Sequence, residues 1–149
     1  MGLDEYKLAL LAILRAHSDG ALTALHHIKD RMPQKARKVR IVVHLPQDAD
    51  GMFDVLVHLE GPDLYVLNKT ISDFRSLFQV RVVDGRCHPK VPLFDPSDQS
   101  FSVNDAIVDS AMIWLRELWT VFGGMSLRLP VTVEGEDGYG CTPMISLSP

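Results

Sequence analysis

Cysteine is scarce in this chain: Cys87 and Cys141 are its two thiols among 149 residues. They lie far apart and form no CxxC pair, which removes the usual structural zinc sites and dithiol redox motifs. A secretory leader is not expected either, since Met1-Gly2-Leu3-Asp4-Glu5 has neither a basic start nor an apolar run. Tyr6 stands where a myristoylation site wants Ser or Thr. No apolar stretch is long enough to span a bilayer. A cytoplasmic protein with two reduced thiols and no membrane contact is therefore expected.

Positive charge is also short, with 15 Lys and Arg against 19 Asp and Glu and a net charge of −4. Phosphate backbones need a basic face, so nucleic acid is not expected as a partner. The sequence holds no HExxH, no GxSxG elbow and no phosphate-binding glycine motif. Gly135 to Gly140 is glycine-rich, yet it is acidic where a phosphate would sit, so it reads as a hairpin turn. No cofactor and no catalytic residue is expected from these patterns.

What is present describes one α+β domain over residues 1–149. Hydrophobic residues make up 46% and charged residues 23%, enough to bury a real core. Apolar residues recur at helical spacing from Leu3 to Met32, predicting one long helix that a kink at Gly20 can bend, with a break as the alternative. Pro33 ends it. Ile41, Val43 and Leu45, then Phe53, Val55, Val57 and Leu59, alternate with polar residues around the turn 46–51, predicting an antiparallel hairpin. Leu64, Leu67, Ile71, Phe74 and Phe78 are spaced as on a helix, although a strand followed by a short helix fits nearly as well. Gln79 to Val83 reads as a strand, ended by Asp84-Gly85. Residues 86–101 hold Pro89, Pro92 and Pro96 and read as an irregular connection.

The clearest helix runs from Val103 to Phe122, capped by Ser102 and ended by Gly123-Gly124. A second hairpin follows: a strand through Leu127, Leu129, Val131 and Val133, and another from Tyr139 to Leu147, with Pro130 and Pro143 at edges or bulges. The order is α-β-β-α-β-α-β-β, with a mostly antiparallel sheet of about five strands and helices packed on it.

The helix at 103–122 is apolar over an arc of about 220°, wider than the stripe of an ordinary surface helix. Either the sheet and first helix cover the excess, or a second copy or partner does. Six histidines raise a second possibility. His44 and His58 share a face of the first hairpin and are weak candidates for a metal, with Asp54, Glu60 or His88 as third ligand. Cys87-His88 is a poor thiol–base pair, because neighbours in sequence seldom orient toward each other. From Lys29 to Arg40, six cations face one acid. This patch either complements a helix terminus or steers an acidic protein surface.

The leading expectation is a non-enzymatic protein-interaction module, neutralising, chaperoning or adapting one protein partner as a homodimer. Met112, Trp114, Leu118 and Trp119 are its expected apolar contacts, with Lys35, Arg37 and Lys38 as steering charges. The alternative is a small enzyme or a ligand- or metal-binding domain, with a pocket near His44, His58, Cys87 and His88.

Overall fold

The computed structural model describes residues 1–125 and 129–148. Its elements are α1 (Leu3–Ala16), α2 (Ser18–Asp30), β1 (Lys38–His44), β2 (Asp54–Glu60), α3 (Leu64–Thr70), β3 (Ser76–Gln79), β4 (Arg81–Val83), β5 (Arg86–His88), α4 (Val103–Phe122), β6 (Val131–Gly135) and β7 (Met144–Ser146). Five strands form one sheet in the order β3-β2-β1-β6-β7. All neighbours run antiparallel except β1 and β6, which are parallel. The α+β class and the mostly antiparallel sheet are as the sequence predicts.

Alternation decides which face of the sheet is dry. Val39, Ile41 and Val43 of β1, Val55, Val57 and Leu59 of β2, and Val131 and Val133 of β6 are all buried. They join one core with α1, α2 and α4. The even positions of β1 and β2 form the other face. It carries Arg40 and His44 beside Asp54, His58 and Glu60, all half-buried. The result is a two-layer structure with helices on one side of the sheet.

The long first helix is in fact two. The chain breaks at His17, not at Gly20, and α1 and α2 meet at a bend of 56°. Both halves keep the apolar phase because both pack on α4, and α2 reaches on to β3. Ser18 at the bend accepts the indole N–H of Trp114 at 3.0 Å. A straight helix could not follow the core around that corner. The predicted helix through Phe78 is likewise shorter: it stops at Thr70, and Phe78 lies in β3, stacked on Phe53. An apolar residue every three or four positions cannot tell a helix end from the turn and strand that follow.

Residues 86–101 are less irregular than expected, because β5 opens them and pairs with β4 in a separate hairpin. Beyond it, Phe94 and Phe101 pack on the buried ring of Tyr6. Burial there, followed by Asp50, pushes the Tyr6 phenol above its ordinary range. Ser102 caps α4 by accepting from the Asp105 N–H at 3.2 Å, and Gly123 ends it in the left-handed conformation. Leu127, expected at the start of the second hairpin, lies outside the described residues. The hairpin itself is β6 and β7, with Pro130 and Pro143 just outside its strands.

The loop between β6 and β7 is fastened to α4. Asp105 accepts from the Gly140 N–H at 2.7 Å, and Asp109 from the Cys141 N–H at 2.8 Å. Burial pushes the Asp109 carboxyl up, but donors from Cys141 and Lys7 outweigh it and hold it below the usual range. Gly140 has φ of +106°, and a Cβ there would meet Val108 at 2.6 Å. Gly140→Ala is therefore expected to destabilise the fold by about 1–3 kcal/mol, read by urea unfolding.

Candidate functional site

Two places on the surface concentrate chemistry. The first is the helix-free face of the sheet. Register puts His44 opposite Asp54 and His58 opposite Arg40, with the Val42–Leu56 pair between them. The imidazoles lean toward each other across that pair, and their Nε2 atoms meet at 2.9 Å. Glu136, in the turn after β6, holds His44 Nδ1. Arg75, in the turn before β3, donates to His58 Nδ1 at 2.7 Å and to the Val57 carbonyl at 3.2 Å. Arg40 pairs with Glu60 at 3.2 Å and also with Glu134. Two adjoining depressions of about 380 and 360 Å³ share Arg40 and His58.

These contacts bear directly on the metal candidates. A ring that binds metal through Nε2 carries its proton on Nδ1 and gives it to an acceptor. Glu136 suits His44 in that role, but Arg75 is a donor and opposes it at His58. No group of three or more His, Cys, Asp or Glu side chains among the described residues could hold a metal ion. Cys87 and His88 lie in the β4–β5 hairpin and line neither depression. Of the four residues of the expected pocket, the fold joins His44 and His58 only.

The second place is the corner where α3 begins. Leu64, Tyr65 and Val66 are consecutive and exposed by 57%, 75% and 55%, so each leaves most of an apolar side chain in water. Gly61 brings the basic segment alongside: a Cβ on it would lie 2.6 Å from the Lys35 carbonyl. The Arg37 N–H donates to the Glu60 carbonyl at 2.8 Å. Lys69 sits over the Tyr65 ring at 5.9 Å. Among the described residues, Lys35, Arg37, Lys38 and Lys69 take part in no ion pair.

Asn68 fastens this corner to the sheet. β3 covers the outer edge of β2 only along Asp54–Leu56, and the backbone of Arg75 pairs with Val57. At Leu59 the Asn68 side chain takes over, accepting from its N–H at 2.9 Å and donating to its carbonyl at 3.0 Å. One amide thus replaces a strand.

The expected apolar contacts on α4 are corrected. Met112, Trp114 and Leu118 are 5%, 0% and 2% exposed, inside the chain's own core. Trp119 is half-buried and packs edge-on against Phe122. Packing of α4 against α1, α2 and the sheet buries Met112, Trp114 and Leu118, which cannot reach a partner without opening the fold, while Ile113 and Val121 of the same helix stay 49% and 73% exposed. Within the basic segment, Lys29 lies over Phe122, Arg31 over Phe74, and Arg40 is paired on the sheet. That leaves Lys35, Arg37 and Lys38 as the steering candidates.

Sequence reasoning missed Arg75, Glu136 and Asn68, which reach these places from other elements. No spacing signals them. Tyr65 and Val66 did carry a signal, as β-prone apolar residues off the Leu67–Ile71 stripe.

Fold and site together define a two-layer α+β protein with a helix-free sheet face and an apolar, basic corner beside it. The chain belongs to DUF6389, a family of unknown function, whose model matches residues 1–149. No curated protein and no solved structure matches it. Among the described residues no single helix is long and apolar enough to cross a membrane.

Proposed function

We propose that this chain is a protein-interaction module that docks one acidic protein partner at the α3 corner. The observation that carries the reading is the run Leu64-Tyr65-Val66, exposed beside the unpaired Lys35, Arg37 and Lys69. Apolar side chains supply the area that leaves water on contact, and the cations steer and select an acidic surface. The polar groups of the sheet face are satisfied among themselves: Arg40, His44 and His58 are each engaged by a neighbour on that face.

A partner other than a second copy fits better. A two-fold interface presents the same patch from both subunits, so cations would face cations near the axis. Met112, Trp114 and Leu118, the contacts expected to carry self-association, lie in the chain's own core, which speaks against a second copy docking through them.

The test places a photo-crosslinking phenylalanine analogue at position 65 of the full chain in its host. One dominant adduct with an acidic protein is expected. With that partner purified, charge reversal by K35E and R37E together should weaken binding by about tenfold or more, and added salt should weaken the wild type. Tyr65→Ala should cost about 30-fold if the ring is a central anchor. An adduct with a second copy, or affinity indifferent to charge reversal, would overturn the proposal.

A further inference from the structure

With both imidazoles neutral, the hydrogen bonds on the sheet face fit one arrangement of protons. Arginine only donates, so His58 Nδ1, 2.7 Å from Arg75 Nη2, is an acceptor. A neutral His58 then carries its proton on Nε2 and gives it to His44 Nε2 at 2.9 Å. His44 keeps its own proton on Nδ1, toward the Glu136 carboxylate. The chain runs in one direction, Arg75 to His58 to His44 to Glu136, and every position is used.

A further proton has no place in it. On His58 it sets an N–H against the Arg75 N–H. On His44 it sets an N–H against that of His58. If His58 then shifts its proton to Nδ1, the conflict only moves to Arg75.

We propose that His44 and His58 form an acid-sensitive latch: one added proton breaks either the imidazole–imidazole contact or the hold of Arg75, and loosens the turn between α3 and β3. That turn depends on Arg75, which binds the Val57 carbonyl through its side chain and the Val57 N–H through its own carbonyl.

Charges face the pair from each neighbouring element. They are Arg40 on β1, Asp54 and Glu60 on β2, Glu134 on β6, Glu136 and Asp137 in the turn after it, and Arg75 before β3. Burial first, then Arg75, His44 and Arg40, lower His58 from 6.5 to about 4, against an opposing pull from Glu134. The sign follows from linkage. Above 6.5 the ring is neutral whether latched or open, and the latch is at full strength. Between 6.5 and about 4 the open form takes a proton that the latched form resists, so acid favours opening. His58 also lines the depression that reaches Leu64 and Asn68. Acid should therefore weaken partner binding at the α3 corner, a consequence that rests on the docking surface proposed above; the latch itself does not.

Histidine-labelled full-length protein tests it by NMR. At pH 7.5 the expected pattern is a proton on Nδ1 of His44 and on Nε2 of His58. On acidification to pH 4.5, exchange of the Val57 amide, corrected for its intrinsic rate, should speed by about tenfold. In H58F the correction should leave it flat. If H58F does not fold, H44F serves: it removes the conflict between the two imidazoles, leaves that between His58 and Arg75, and should shrink the acceleration. Either ring charged at pH 7.5, both protons on Nε2, or equal acceleration in wild type and variant would overturn the latch. A failed crosslink at position 65 would leave these tautomers untouched, so the two proposals can fail separately.

Discussion

Trp114→Ala lowers the unfolding free energy by about 3–5 kcal/mol, the range for removing a fully buried large aromatic side chain. The indole is 0% exposed, packs near Phe78 and donates to Ser18 where α1 meets α2. Removing it opens a cavity at the corner the two helices turn around and strips Ser18 of its donor. Urea unfolding reads the loss, and its midpoint should not depend on protein concentration. Were Trp114 part of an interface, dilution would lower the midpoint and the variant would dissociate before it unfolded. Trp119, half-buried on the same helix, should cost only about 1–2 kcal/mol on the same change. A small loss at Trp114, or a concentration-dependent one, would return α4 to the list of partner surfaces.

Asn68→Ala is the second large expectation, at about 2–3 kcal/mol. The side chain satisfies both the N–H and the carbonyl of Leu59, and it also donates to the Leu64 carbonyl at 2.8 Å. Leu59 is 1% exposed, so its backbone groups gain little from water once the amide is gone. The comparison that isolates the cause is Asn68→Asp. A carboxylate can still accept from the Leu59 N–H but cannot donate to its carbonyl, so it should recover only part of the loss. Because Asn68 joins α3 to β2, Asn68→Ala should also loosen the corner carrying Leu64, Tyr65 and Val66. Amide exchange across residues 64–71 would rise ahead of global unfolding. An Asn68→Ala protein with wild-type stability and exchange would show that α3 is held by the packing of Leu67 and Ile71 alone.

Both expectations concern contacts between elements distant in sequence, and that is where sequence reading stopped. His44 and His58 were legible as neighbours, because alternation puts even positions of one hairpin on one face. Their partners were not. Glu136 stands 92 positions from His44, and Arg75 stands 17 from His58 in another element. The corner was half legible: Tyr65 and Val66 fall off the buried stripe, but Leu64 falls on it and is still exposed, because the sheet ends there.

Local interactions determined what sequence alone could settle. Ser102 and Gly123 set the ends of α4 because capping bonds span only a few residues. Alternation set the buried side of β1 and β2, since a one-residue slip would turn every valine outward. The tertiary structure decided three further matters. It put β6 parallel to β1 within the sheet, bent the first helix at His17, and buried Met112, Trp114 and Leu118 of α4 within the chain itself. A strand's hydrogen bonds do not name their partner, and an apolar face is equally well buried by its own chain or another. Only the packed fold distinguishes them.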